Sequence, residues 1–206
     1  MIRRVIAMPE TLPDSRRLIL ASTSPFRREL LARLGLPFAT QAPDADESRQ
    51  SGEDAPALVA RLAELKARVV ARHEPAALII GSDQAAVLDG AIIGKPGDHE
   101  RAVAQLRRAS GRTVTFFTGL CLLDSASGRR QVAVDLFRVV FRRLRPEMIE
   151  SYLRREQPYH CAGSFKSEGL GIALFERLEG DDPTSLIGLP LIRLTRMLEA
   201  AGVAVL

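Results

Sequence analysis

Asp83, at the end of the run Ala77-Leu78-Ile79-Ile80-Gly81-Ser82, is the strongest candidate for chemistry in this 206-residue chain. A short Ile- and Leu-rich run closing on small residues and a carboxylate reads as a buried strand. Such a strand delivers its acid at the C-terminal end, where open α/β sheets place their ligands. A carboxylate there can take a proton from water as general base, or hold Mg²⁺ through oxygen and let the ion activate the water. A second candidate is Ser22-Thr23-Ser24-Pro25-Phe26-Arg27-Arg28, which follows the apolar Leu18-Ile19-Leu20-Ala21. Ser24 suits a helix N-cap and Pro25 the first helical position. The free N–H groups and positive dipole end of that helix suit an anion, and Ser22, Ser24, Arg27 and Arg28 add hydroxyls and guanidinium forks.

The lysines narrow the choice further. Among 29 basic residues only Lys66, Lys95 and Lys166 are lysines. A lysine that persists among so many arginines marks a place needing a compact, mobile point charge and not a planar fork. Lys95 sits in Gly94-Lys95-Pro96, held by turn residues; the rest of a Walker A loop is absent, so phosphates must be gripped by separate side chains. Each residue also has a plainer reading. Asp83 can be a turn aspartate, Lys66 a solvated helix lysine, and the acidic run Pro43-Asp44-Ala45-Asp46-Glu47-Ser48 a solvated loop. His160-Cys161 has the residue types of a cysteine protease, but neighbours in an extended chain point different ways and no supporting partner is evident.

The elements that must position these groups alternate along the chain. A strand is expected over 17–23, a helix over 24–34 ended by Gly35, and a short strand within 37–42. Leu58, Leu62, Leu65 and Val69 predict an amphipathic helix over 55–73, with Lys66 beside its apolar stripe. After the strand ending near Gln84 come a hairpin turn at Asp89-Gly90 and a helix over 99–109 capped by Asp98. Two Val- and Phe-rich runs, 112–123 and 130–144, form an antiparallel hairpin, with Cys121 as a core thiol. A helix over 146–155, a strand at Leu174-Phe175-Glu176 and a last helix over 190–201 complete the pattern.

Length and composition bound the class. The chain suits one domain over 17–206, preceded by a flexible, Pro-containing lead-in over 1–16. No apolar run approaches a membrane span, and Met1 to Met8 lack the apolar core of a secretory signal. Two distant cysteines give neither a disulfide framework nor a zinc site, so a cytoplasmic protein is expected. A net charge of +4, spread along the chain, fits small acidic substrates. Nucleic acid is a less expected partner, because no helix-turn-helix, zinc-finger or RNA-binding signature is present.

Taken together, the segments LILASTSPFRRELL, RLAELKA, the strand ending at Asp83, GKP, the loop Ala162 to Gly169 and GLPL resemble, in order, the motifs of the Maf family of nucleotide pyrophosphatases. The resemblance implies a two-lobed α/β fold of the Maf/ITPase-like kind: a mixed twisted sheet flanked by helices, with a central cleft, usually in a homodimer. It implies hydrolysis of a nucleoside triphosphate between its α- and β-phosphates with a divalent metal, Mg²⁺ or Mn²⁺. Ser22, Arg27, Glu47, Lys66, Asp83 and Lys95 are then the catalytic apparatus, with Asp83 and Glu47 as metal ligands. Phe26, Gln84 and Glu168 occupy the positions that set the base. They resemble the Trp, Gln, Glu set of the branch acting on 7-methyl-GTP, with Phe26 departing from Trp, and not the Arg, Thr, Gln set of the dTTP/UTP branch. A methylated, cationic guanine suits an aromatic face and a nearby carboxylate. The alternatives are a dTTP/UTP pyrophosphatase of the same family and a non-catalytic nucleotide-binding regulator of division.

Overall fold

The structure, a computed structural model, describes residues 16–206. The expected lead-in over 1–16 lies, apart from Arg16, outside the described residues. Strand β1 (Arg17–Ala21) leads into helix α1 (Pro25–Ala32), β2 (Ala39–Gln41) and α2 (Ala55–Ala71). Then come the long β3 (Ala77–Leu88), the short β4 (Ala91–Ile93) and α3 (His99–Ala109). The hairpin β5 (Thr113–Asp124) and β6 (Arg130–Phe141) is followed by α4 (Pro146–Glu156), β7 (Phe175–Glu179), α5 (Pro183–Ile187) and α6 (Leu191–Ala200). Ser24, Asp54 and Asp98 cap α1, α2 and α3 by accepting from backbone N–H groups three residues on. The strands form one mixed sheet in the order β2-β1-β3-β5-β6-β7, with β4 also paired to β3.

Alternation along the 12-residue β3 and β5 sorts their side chains onto two faces. Ile79, Cys121 and Leu123 face α2, where they pack with Ile19, Ala63, Ala67 and Val70. On the other face Leu78, Ile80, Leu120 and Leu122 meet α1 and α6. Farther along, Ala86 of β3, Phe116 of β5, and Phe137 and Val139 of β6 form a second core with α3 and α4. The long strands thus run through two packed ends. Cys121 is fully buried, as expected, and burial pushes its thiol up to about 12.

Helix α2 lies unusually close to the sheet. A Cβ on Gly81 would stand 2.0 Å from the Ala63 carbonyl oxygen, and one on Gly119 2.1 Å from that of Val59. Only glycine permits that approach. The contact also rotates the helix from its expected setting. Ala63, Lys66, Ala67 and Val70 are buried, while Leu65 and Val69 stay half-exposed. Lys66 therefore lies within the buried stripe and not beside it.

One further expectation changes, and one helix is new. The strand does not end at Asp83 but runs on to Leu88, because β5 continues to pair with it as far as Val87. The segment after Asp182 is a helix of its own, α5, started by the Asp182 cap and Pro183. On its other edge β3 pairs with β1 only up to Gly81 and with β4 only from Ala86. Ser82, Asp83, Gln84 and Ala85 are consequently open on that edge. Here α1 starts on one side and the Gly94-Lys95 turn leaves on the other.

Candidate active site

At this opening three charged side chains meet. Lys66 is 5% exposed, and its Nζ donates to Asp83 Oδ1 at 2.7 Å. The same ammonium lies 3.0 Å from Glu47 Oε2. A buried ammonium needs such compensation, and two carboxylates supply it. Asp83 gives one oxygen to Lys66; Oδ2 has no protein partner among the described residues and remains for water or a cation. The tight seat of α2 on Gly81 and Gly119 is what lets Lys66 reach the strand.

Arg27 comes from the first turn of α1. Its Nε donates to the Gly188 carbonyl at 2.8 Å, and Ser82 Oγ donates to that same oxygen at 2.9 Å. Both Nη atoms stay without a hydrogen-bond partner among the described residues. Burial lowers the Arg27 guanidinium from its ordinary value, against the opposing pull of Asp83 and Glu47. Arg27 thus faces the same carboxylates and has donors in reserve for an anion. Ser22 is buried, and its Oγ accepts from Ser24 N–H at 3.1 Å, which fixes the turn into α1. Arg28 is exposed.

Lys95 is not in contact with this cluster. It is exposed on the turn after β4 and has no ion pair among the described residues. Gly94 is tied down by Gln105, whose Nε2 donates to the Gly94 carbonyl at 3.0 Å, and Gly97 N–H donates to the Tyr159 carbonyl at 2.9 Å. The Cys161 thiol, raised first by burial, also feels Glu168, Lys166 and Lys95. Lys95 and Glu168 therefore border one region. A raised, half-buried thiol with an exposed His160 beside it has none of the activation a protease needs.

The three expected base-reading residues come from separate segments, and no hydrogen bond joins them. Phe26 is half-buried on α1, and Glu168 is exposed and accepts from Ser167 Oγ at 3.2 Å. Gln84 follows Asp83 in the strand and so points to the opposite face, toward α5. Its Nε2 donates to the carbonyls of Ser185 at 2.8 Å and Leu186 at 3.0 Å, and to Thr118 Oγ1 at 3.0 Å. Thr118 spends its own proton on the Ser185 carbonyl at 2.9 Å. Carbonyls only accept, so the amide orientation is forced and Gln84 offers a ligand its Oε1 alone. At the open edge of β3, a ligand lying across the opening can meet Asp83 on one face and Gln84 on the other.

Lys166 corrects an expectation. Its Nζ donates to the Glu156 carboxylate and carbonyl, both at 3.2 Å, while Glu156 Oε2 accepts from Leu170 N–H at 2.9 Å. This lysine fastens the loop that carries Glu168 to the end of α4. Thr118, the Gly188 carbonyl, Glu53 and Arg61 were not singled out from the sequence as functional. Arg61 and Gly188 nevertheless lie inside the RLAELKA and GLPL segments.

Among the described residues no three His, Cys, Asp or Glu side chains gather as a ready-made metal cage. Asp83 and Glu47 do fit a looser requirement. Mg²⁺ is commonly held by one or two carboxylates, with waters and substrate phosphates completing its octahedron.

A sheet with one interrupted edge, a carboxylate–ammonium–carboxylate cluster and a cation at a helix start define an α/β protein with a charged site at a sheet opening. The Maf-like protein family model matches residues 17–201, and the chain belongs to that family. A 7-methyl-GTP pyrophosphatase of Nitrosococcus oceani is 59% identical over 199 residues, 97% of this chain and 99% of the relative. Proteins of the same name from Pseudomonas aeruginosa and Vibrio cholerae are 58% and 57% identical, over 94% and 92% of this chain and 100% and 98% of their own length. Among solved structures, the Ham1 protein of Staphylococcus aureus superposes with a TM-score of 0.44 at 14% identity, over 61% of this chain and 72% of its own, too loosely to bear on function.

Proposed function

We propose that this protein hydrolyses the α–β phosphoanhydride of 7-methyl-GTP, giving 7-methyl-GMP and diphosphate. The observation that carries the reading is the Glu47–Lys66–Asp83 cluster at the open edge of β3, in a chain whose relatives above bear that activity in their names. Asp83 Oδ2 accepts a proton from a water as that water's oxygen bonds to the α-phosphorus; the bond from phosphorus to the bridging oxygen breaks, and diphosphate leaves with the electron pair. Asp83 and Glu47 would hold the divalent cation, which supplies Lewis acidity toward the phosphate oxygens and the water. Lys66 keeps the two carboxylates from repelling each other, while Arg27 and Lys95 offset charge on the departing diphosphate. Ser22 holds the turn that aims α1 at the phosphates.

For the base, Phe26 offers a π face to the cationic ring, and Glu168 with Gln84 Oε1 supplies acceptors. Guanine presents donors at N1 and the 2-amino group, which suits two acceptors. The reading includes a cytoplasmic homodimer. Among the described residues no helix is long and apolar enough to cross a membrane, and Val132 and Leu136 on β6 are 39% and 38% exposed.

The test is diphosphate release with Mg²⁺ or Mn²⁺ from 7-methyl-GTP, GTP, dTTP, UTP and CTP at one low concentration, using wild type and Asp83→Asn. Preference for 7-methyl-GTP, abolished by Asp83→Asn, is expected. Turnover centred on dTTP and UTP would overturn the base assignment, and binding without release would leave a nucleotide-binding regulator.

A further inference from the structure

The segment between β2 and α2, residues 42–54, contains no helix or strand, yet it carries Glu47 to Lys66. Its fastening comes from α2. Arg61 meets Glu53 with two prongs, Nε to Oε1 at 2.6 Å and Nη2 to Oε2 at 2.8 Å. The same Nη2 donates at 3.0 Å to the carbonyl of Ser48, the residue after Glu47. Glu53 is then used twice more: its Oε2 accepts from Gln50 N–H at 3.1 Å and its carbonyl from Arg49 Nε at 2.8 Å. Side-chain exposure separates the two acids, at 8% for Glu53 and 53% for Glu47.

The loop is therefore anchored at Glu53 and Ser48, and Glu47 hangs from that anchor. Packing does not replace it, because a cavity of about 370 Å³ lined by Asp46, Ser48, Arg49, Gln50, Arg61 and Leu65 lies against the same segment. A guanidinium can serve both carboxylate oxygens and a carbonyl at once in fixed geometry, which an ammonium cannot. Hydrogen bonding from Arg61 holds the Glu53 carboxyl down to about 2, so the clamp stays ionised near neutral pH.

We infer that Arg61 is a positioning residue of this enzyme: through Glu53 and the Ser48 carbonyl it sets Glu47 against Lys66 and beside Asp83. The inference rests on the reading of Glu47, Lys66 and Asp83 as the catalytic cluster.

Wild type, Glu47→Gln, Arg61→Lys and the double variant are compared by kcat/KM for 7-methyl-GTP and by the Mg²⁺ concentration giving half-maximal activity. Second-sphere losses of this kind run to about 10–100-fold. Glu47→Gln and Arg61→Lys are each expected to raise the half-activating Mg²⁺ concentration by about tenfold, with the double no worse than Glu47→Gln alone. Without metal or nucleotide, amide exchange over 43–53 speeds up in Arg61→Lys while α3 is unaltered. Glu53→Gln gives the same signature and serves if Arg61→Lys folds poorly.

Multiplying penalties in the double variant, or wild-type Mg²⁺ dependence and loop exchange in Arg61→Lys, would overturn the inference alone. A Glu47→Gln enzyme with wild-type kinetics would remove the role of Glu47 and this inference with it.

Discussion

Gly81→Ala tests how the cluster is assembled without touching any charged group. The added Cβ would stand 2.0 Å from the Ala63 carbonyl oxygen and 3.0 Å from the Ala67 nitrogen, the two residues that flank Lys66 on α2. Both sides of that contact are backbone, so neither can swing away. Restoring contact near the usual ~3.5 Å requires helix and sheet to part by roughly 1 Å or more. Lys66 Nζ is now 2.7 Å from Asp83 Oδ1, and such a shift carries the pair past hydrogen-bond range. Overpacking of this kind costs about 1–3 kcal/mol. For a chain of this size that is a Tm lower by roughly 3–10 °C. In steady-state diphosphate release at 20 °C, where the variant is still folded, kcat/KM for 7-methyl-GTP falls at least tenfold. Leu106→Ala, in the other core, is the control: it lowers Tm comparably and leaves kcat/KM of the folded enzyme near wild type. Wild-type kcat/KM in Gly81→Ala would refute the claim that close helix–sheet contact sets the Lys66–Asp83 pair.

Thr118→Val removes the hydroxyl that accepts from Gln84, at a stability cost of about 1–2 kcal/mol. The Ser185 and Leu186 carbonyls still hold the Gln84 amide in its orientation, so the kcat/KM ratio of 7-methyl-GTP over UTP stays within about twofold of wild type; a ratio several-fold lower sinks the locked-acceptor account. Phe26→Arg puts a cation where a cationic base is expected, and removing the aromatic face alone is worth up to about 1 kcal/mol. Its KM for 7-methyl-GTP should rise at least fivefold, and an unchanged KM would show that the base lies elsewhere. Glu53 is lowered from 4.5 to about 2, first by hydrogen bonding from Arg61, so its contribution to the loop is fully present above 4.5 and is lost as pH falls toward 2. Carboxyl NMR should give Glu53 a midpoint near 2 that moves toward 4.5 in Arg61→Lys; a wild-type midpoint near 4.5 contradicts the clamp.

What could be read from the sequence was what local chemistry decides. Ser24-Pro25 and Asp98 announce helix starts because a cap acts within three residues. That Lys66 and Asp83 belong to one site was implied by motif resemblance, not by periodicity; their ion pair was not legible. The longer reach of β3 was not, because Ala85 and Ala86 are weak strand formers held in place by a distant partner, β5. That miss concealed the placement of Asp83 and Gln84 on opposite faces. Lys166 misled for the same reason: its partner Glu156 lies ten residues back on another element. Gly81 and Gly119 carry no local signal, since their role exists only once α2 has docked. Helix α5, at five residues, is too short for a periodic pattern.

The interrupted edge of β3 also bears on how this chain avoids sticking to its own kind. Exposed strand edges recruit other strands and seed aggregation, and proteins usually guard them with charge, proline or bulges. Here the stretch without a strand partner on that edge, Ser82 to Ala85, is about 13 Å long at the usual strand rise. It is closed at both ends by β1 and β4, and a foreign strand cannot lengthen its register past either. An opening of that size admits a small molecule but not a polypeptide ladder, so the unpaired backbone stays available without becoming a hazard in a crowded solution.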